Sequence, residues 1–208
     1  MLDALARVLD LDAAERGHLF DLAGVALPPS GEPYPTEAPG ELRDIVLALA
    51  PNPAYLLGPR SDVLEWNAAA TLLLGEPTRA PDGARNLLWW MFTQPGAHGP
   101  TWVGTARRTL ARFRAEHARR YDDPAFHRLI EALLEASPEF RELWPRHEVL
   151  DAQLGTKAID HPRLGRVALL HLQSIPTSHP DLRLTQFVPA GEPTSRALRE
   201  AHEDEETG

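Results

Sequence analysis

Two short strands, a long run of helices and then three strands can be read along this sequence. That order predicts an α+β fold: a five-stranded antiparallel sheet with several helices inserted after the second strand, plus short N-terminal helices. Three observations carry the prediction. A Pro-rich stretch at 25–40 sets two short amphipathic helices apart from the rest. Residues 54–66 read as two apolar strands around a Gly-Pro turn. Between 67 and 144 the apolar residues recur at helical steps, and after 147 the runs become strand-like.

Taken in order, residues 2–9 are a predicted helix with Leu2, Leu5, Ala6 and Leu9 on one face. Asp12 caps a second helix, from Ala13 to Ala23, and Gly24 ends it. Two such helices cannot bury a core of their own. Residues 1–24 therefore read as the end of a larger domain. Pro28, Pro29, Pro33, Pro35 and Pro39, with Gly31 and Gly40, make 25–40 an expected linker.

Glu41–Leu49 follows as a helix, with Leu42, Ile45, Val46 and Leu49 on its apolar side. Ala54–Leu57 and Asp62–Trp66 are the hairpin strands, joined through Gly58-Pro59-Arg60-Ser61. Asn67 caps a helix through Leu74, and Asn86 caps Leu87–Phe92, which is apolar almost all round and so expected to be buried. Its adjacent Trp89 and Trp90 cannot point the same way. Thr101–Tyr121 is the longest helix, with Val103, Ala106, Leu110, Phe113 and His117 at three- and four-residue steps. His117 is expected to be partly buried and hydrogen-bonded. Asp123 or Pro124 starts a helix to Ala136, and Ser137-Pro138 starts the next one, which places Phe140 and Trp144 on a shared face. The three late strands are expected at Glu148–Ile159, Val167–Ile175 and Leu182–Val188, and a frayed acidic helix from Thr194.

Composition narrows the function. With 208 residues, 43% hydrophobic and 25% charged, the chain has apolar material for a real core. A net charge of −9 argues against a free-standing nucleic-acid binder. The absence of cysteine removes disulfides, thiolate metal sites and thiol nucleophiles, and fits a reducing cytosol. No apolar run approaches membrane-spanning length.

Candidate chemistry is weighed against plainer roles. No G-x-S-x-G, H-E-x-x-H or phosphate-binding glycine motif occurs, and Ser137 reads as a cap rather than a nucleophile. His147, His161 and His171 could converge across strands, but packing or surface roles suit them better. Arg107, Arg108, Arg112, Arg114, Arg119 and Arg120 lie on the long helix with Glu116. Arg108, Arg112 and Arg119 share roughly one face, which could meet a carboxylate or phosphate. A solvated face is the plainer reading. The aromatic set of Tyr55, Trp66, Trp89, Trp90, Phe92, Trp102, Phe113, Phe140 and Trp144 either lines an apolar pocket or fills the core.

Several blocks in order resemble one family, the ligand-binding domain of MmyB-like transcription regulators. They are Asn52-Pro53-Ala54-Tyr55, Asp62-Val63-Leu64-Glu65-Trp66-Asn67, Arg85-Asn86-Leu87-Leu88 with Met91-Phe92, the S-P-E-F-x-x-L-W-x-x-H-x-V run from Ser137 to Val149, His161-Pro162-Arg163-Leu164-Gly165, and Gly191-Glu192-Pro193-Thr194-Ser195. Residues 96–104 keep only the family's tryptophan, as Trp102. His171 and Gln186 stand where the family pattern is more apolar.

The resemblance implies a PAS-like sheet whose inserted helices enclose a small-molecule site. It implies a ligand-binding domain at 41–191 with an acidic tail at 192–208. Residues 1–24 would be the last helices of a XRE-type helix-turn-helix domain whose recognition helix this chain lacks. The implied function is effector sensing by a bacterial transcription regulator, not catalysis. The expected ligand is small and largely apolar, acyl-like or a lactone. Trp66, Trp89, Phe92, Trp102, Phe140 and Trp144 are the expected apolar walls, and Asn67, Arg108 and His147 the expected polar contacts. No cofactor or metal is expected, and the localisation implied is cytoplasmic, with no membrane partner. A homodimer is a further candidate assembly, and DNA would be reached only through the reader domain. The alternative is a protein–protein interaction or dimerisation module whose aromatics are all core.

Overall fold

Five short strands form one antiparallel sheet in the order β2-β1-β5-β4-β3 in the computed structural model. It describes residues 2–24, 34–94, 102–146, 156–161 and 163–207. The strands are β1 (Ala54–Leu57), β2 (Val63–Trp66), β3 (Thr156–His161), β4 (Gly165–Ser174) and β5 (Arg183–Pro189). The last strand slots between the first and the fourth, which gives the α+β, PAS-like sheet the element order predicts. The third predicted strand is observed from Thr156, and the expected stretch 148–155 lies outside the described residues.

The chain forms two units, Met1–Pro33 and Tyr34–Gly208. The first contains α1 (Leu2–Val8) and α2 (Ala13–Leu22). Asp12 and Glu15 cap α2 reciprocally: the Glu15 amide donates to Asp12 Oδ1 at 2.9 Å, and the Asp12 amide donates to Glu15 Oε2 at 3.0 Å. Gly24 ends that helix with a φ of 64°.

In the second unit the strands sort side chains by alternation. Tyr55 and Leu57 face the inserted helices, while Ala54 and Leu56 face α3 (Gly40–Ala48) through its buried Leu42 and Val46. The inserted helices are α4 (Ala68–Leu74), α5 (Leu87–Thr93), α6 (Trp102–Arg119), α7 (Pro124–Ala136) and α8 (Pro138–Leu143). They cover the inner face with Leu88, Leu110, Phe113, Phe126, Leu133 and Phe140, all nearly inaccessible to solvent. The last helix, α9 (Glu192–Thr207), buries Thr194, Leu198 and Ala201, so the tail read as an acidic extension packs on the unit through this side. The Thr194 hydroxyl accepts the Ala168 amide at 3.0 Å, which fixes the helix start to β4. Residues 34–39, read as linker, also lie on the unit, with Tyr34 against the main core and Ala38 against the α3 cluster. On the other face of β4 and β5, the paired Leu170 and Val188 are exposed, as is Leu172.

Four caps place these helices, and each is a local sequence signal. Asn67, Asn86, Asp123 and Ser137 accept the amides of Ala70, Trp89, Ala125 and Phe140 respectively. The caps fix where each helix leaves its loop, and hence which face meets the sheet.

Candidate effector site

The inner sheet face carries one cross-strand row of paired residues. Trp66 on β2 pairs Tyr55 on β1, Tyr55 pairs Thr185 on β5, and Thr185 pairs Gln173 on β4. The Tyr55 and Trp66 rings stack, with centroids 4.9 Å apart and planes at 14°. Thr185, fully buried, lies near the Tyr55 hydroxyl and accepts the Gln173 amide at 3.0 Å. Gln173 Oε1 in turn accepts from the Arg112 guanidinium of α6 at 2.6 Å. Burial pushes the Tyr55 hydroxyl pKa up, although the nearby Arg112 opposes the shift.

Both ends of this row are incomplete. Trp66 is 9% exposed, and its Nε1 proton is buried without an acceptor among the described residues. A buried unpaired donor costs roughly 1–3 kcal/mol. At the other end, Arg112 is half-buried, and its hydrogen-bond partner is a neutral amide. Burial lowers its pKa, with Arg183 adding to the effect and Tyr55 and Glu116 opposing it. Arg112 also borders a cleft of about 10 Å³ with Leu57, Gly58, Pro59, Ser61, Phe113, Glu116 and Arg183. That is room for about one water molecule.

Beside the row, aromatic side chains from three helices, α5, α6 and α8 with its C-cap Trp144, meet one another. Phe92 is edge-on to Trp102 at 5.4 Å and to Phe140 at 5.2 Å. Phe140 stacks on Trp144 at 5.4 Å, and Phe113 meets Trp144 at 6.0 Å. The Trp102 indole donates to the Met91 carbonyl at 3.2 Å. Trp89 and Trp90 are both half-buried at the edge of this core.

The expected site residues therefore divide. Phe92, Trp102, Phe140 and Trp144 share one aromatic cluster, with Trp89 at the core edge and Trp66 on the sheet beside Tyr55. Asn67 does not present a polar group to the interior. Its Oδ1 accepts the Ala54 and Ala70 amides, and its Nδ2 donates to the Val46 and Asn52 carbonyls, so both amide ends are used on the backbone. Arg108 is exposed on α6 and folds back over Gly104. His147 lies outside the described residues.

Arg112, one helical turn from Arg108, reaches the sheet row through Gln173. A signal existed in Thr109, Arg112, Phe113 and Glu116, which follow an i, i+3, i+4, i+7 pattern around a buried Thr109 and Glu116.

The arginines of α6 and of the residue after it divide: Arg108 and Arg119 are exposed, as a solvated face requires, and others turn onto the protein. Arg114 donates to the Leu143 and Trp144 carbonyls at the end of α8, and Arg120 bridges Glu116 and Asp181. His117 is partly buried, as expected, but its Nε2 is buried and unpartnered among the described residues, and the ring sits among Phe126, His127 and Trp144. His161 accepts the Arg163 and Leu164 amides through Nδ1, which ties it to its own turn.

No curated protein matches the chain. Residues 38–201 match the family model described as the MmyB-like transcription regulator ligand binding domain. That span takes in the sheet, the inserted helices and the start of α9. The chain belongs to this family of regulator ligand-binding domains.

Proposed function

We propose that this chain is the effector-sensing domain of a helix-turn-helix transcription regulator, and that its effector is a small, largely apolar, acyl-like molecule with an acidic head group. In this reading the head group meets Arg112, and the apolar part enters between the sheet row and the Phe92–Phe140–Trp144 cluster. The observation that carries it is the row itself: a stacked and hydrogen-bonded line of side chains with an orphan indole N–H at one end and an arginine paired to a neutral amide at the other. A core filled only for stability has no use for either.

Among the described residues the interior is closed, so entry of the ligand displaces aromatic side chains. Binding then favours a second packing of the helices on the sheet, and that difference is what an attached reader domain would sense. An attached helix-turn-helix reader would carry any DNA contact. The chain works as a cytoplasmic sensor rather than an enzyme in this account.

The test is native mass spectrometry and calorimetry of the full chain with saturated carboxylic acids of eight to fourteen carbons. One bound equivalent, weakened in Arg112→Met, is expected. A second reading, a dimerisation module without a small-molecule ligand, draws on the exposed Leu170, Leu172 and Val188 face. A ligand-free dimer mass that Leu172→Asp converts to monomer would favour it.

A further inference from the structure

Tyr34 is the first residue of the second unit, and it is fastened to the corner between α6 and α7. Its hydroxyl donates to Asp123 Oδ2 at 3.1 Å, while the other Asp123 oxygen caps α7 by accepting the Ala125 amide at 2.8 Å. Arg120 lies over the Tyr34 ring at 5.9 Å. Burial, followed by the Asp123 charge, pushes the Tyr34 pKa up to about 12, so the hydroxyl remains a donor at neutral pH.

The same Arg120 donates to Glu116 Oε2 at 2.5 Å. The other Glu116 oxygen accepts from Arg183 at 2.9 Å. Glu116 and Arg183 both line the cleft that Arg112 borders. One buried carboxylate thus belongs to the cleft wall and to the Tyr34 fastening at once.

We infer that Tyr34 is a latch on the strap 34–39, and that an anionic group entering the Arg112 cleft releases it through Glu116. The inference rests on the effector-site reading above. An anion between Arg112 and Arg183 takes Arg183 from Glu116 and repels the carboxylate. Glu116 then turns away, Arg120 swings onto its second carboxylate, Asp181, and the Tyr34 ring loses the cation that covers it. Release adds six residues, 34–39, to whatever tether joins the two units, which is about 20 Å of extra reach at full extension. A longer tether lowers the effective concentration of one unit at the other, which is a direct means of changing what the N-terminal unit can reach.

The test uses the full chain with two labels. Because the sequence has no cysteine, Thr36→Cys/Glu131→Cys gives two unique sites, both exposed, on the strap and on α7. Pulsed electron resonance between spin labels there should give one narrow distance distribution without ligand. Glu116→Gln and Tyr34→Phe should each broaden it, and the double variant should be no broader than either alone. Tyr34→Phe removes one oxygen from a half-buried ring, so it decides the question if Glu116→Gln fails to fold. By reciprocity, Tyr34→Phe should also bind decanoate about fivefold more tightly than the parent chain. A narrow distribution in these variants, or equal decanoate affinity in Tyr34→Phe and the parent, overturns the latch. If decanoate binds neither protein, the acidic-effector reading fails, and the ligand-free distances still decide the latch.

Discussion

Arg112 reaches from the middle of α6 to Gln173 Oε1 on β4 at 2.6 Å, and this contact joins the helix layer to the polar row of the sheet. A guanidinium with only a neutral acceptor gains less than it would from a carboxylate, because charge-assisted pairs are roughly twice as strong as neutral ones.

The Asn67 side chain makes four backbone hydrogen bonds that tie α4, β1, α3 and the loop before β1 to one another. Asn67→Ala removes a helix cap and leaves buried amides and carbonyls unpaired, so a loss of about 3 kcal/mol is expected. Urea unfolding measures it. A loss under about 1 kcal/mol would mean that water replaces these bonds.

Phe140 is fully buried, whereas Trp144 is half-buried beneath the Arg114 guanidinium at 5.3 Å. Phe140→Ala should cost about 3–5 kcal/mol by cavity formation. Trp144→Ala should cost less, and it should weaken binding of an apolar acid while the fold persists. Equal stability losses with no change in binding would assign both rings to the core alone.

Arg114 caps α8 by donating to the Leu143 and Trp144 carbonyls, at 2.5 and 2.7 Å through Nη2. Hydrogen bonds from a charged donor are worth about 1.5–3 kcal/mol, so Arg114→Met should destabilise by that amount. Hydrogen exchange should show the loss concentrated in α8. A uniform loss across the unit would contradict the capping role.

His117 titrates below the usual histidine range, chiefly through burial and then through the charge of neighbouring His127. The folded state therefore binds its proton less readily than the unfolded chain, so stability rises with pH. The contribution is full above about pH 6.5 and is lost as the pH falls through the lowered folded value. The urea midpoint should drop between pH 7.5 and pH 5, and His117→Phe should reduce that drop. An unchanged pH dependence in the variant would place the titrating group elsewhere.

What was legible in the sequence was local. Asn67, Asn86, Asp123 and Ser137 announce helix starts because a cap depends on residues two or three positions away. The alternation of Ala54, Tyr55, Leu56 and Leu57 fixes two faces, but not which strand lies beside β1. The pairing of β1 with β5 joins segments more than a hundred residues apart, which no local pattern shows. Arg112 escaped because its partner is 61 residues away and becomes its neighbour only through the β4–β5 register. The structural role of Asn67 is only half legible for the converse reason. Its capping signal was read, but the two additional carbonyls it serves belong to α3 and the loop before β1.

The central claim is that an acidic apolar effector is held at Arg112 beside the aromatic cluster. Calorimetric titration of decanoate into the full chain and into Arg112→Met tests it most directly. Losing one charge-assisted bond of about 1.5–3 kcal/mol corresponds to at least a tenfold fall in affinity. The account predicts one saturable site in the parent chain and that fall in the variant, with both proteins equally folded. Binding of equal strength in the two proteins, or no binding of any eight- to fourteen-carbon acid by the parent chain, would contradict it.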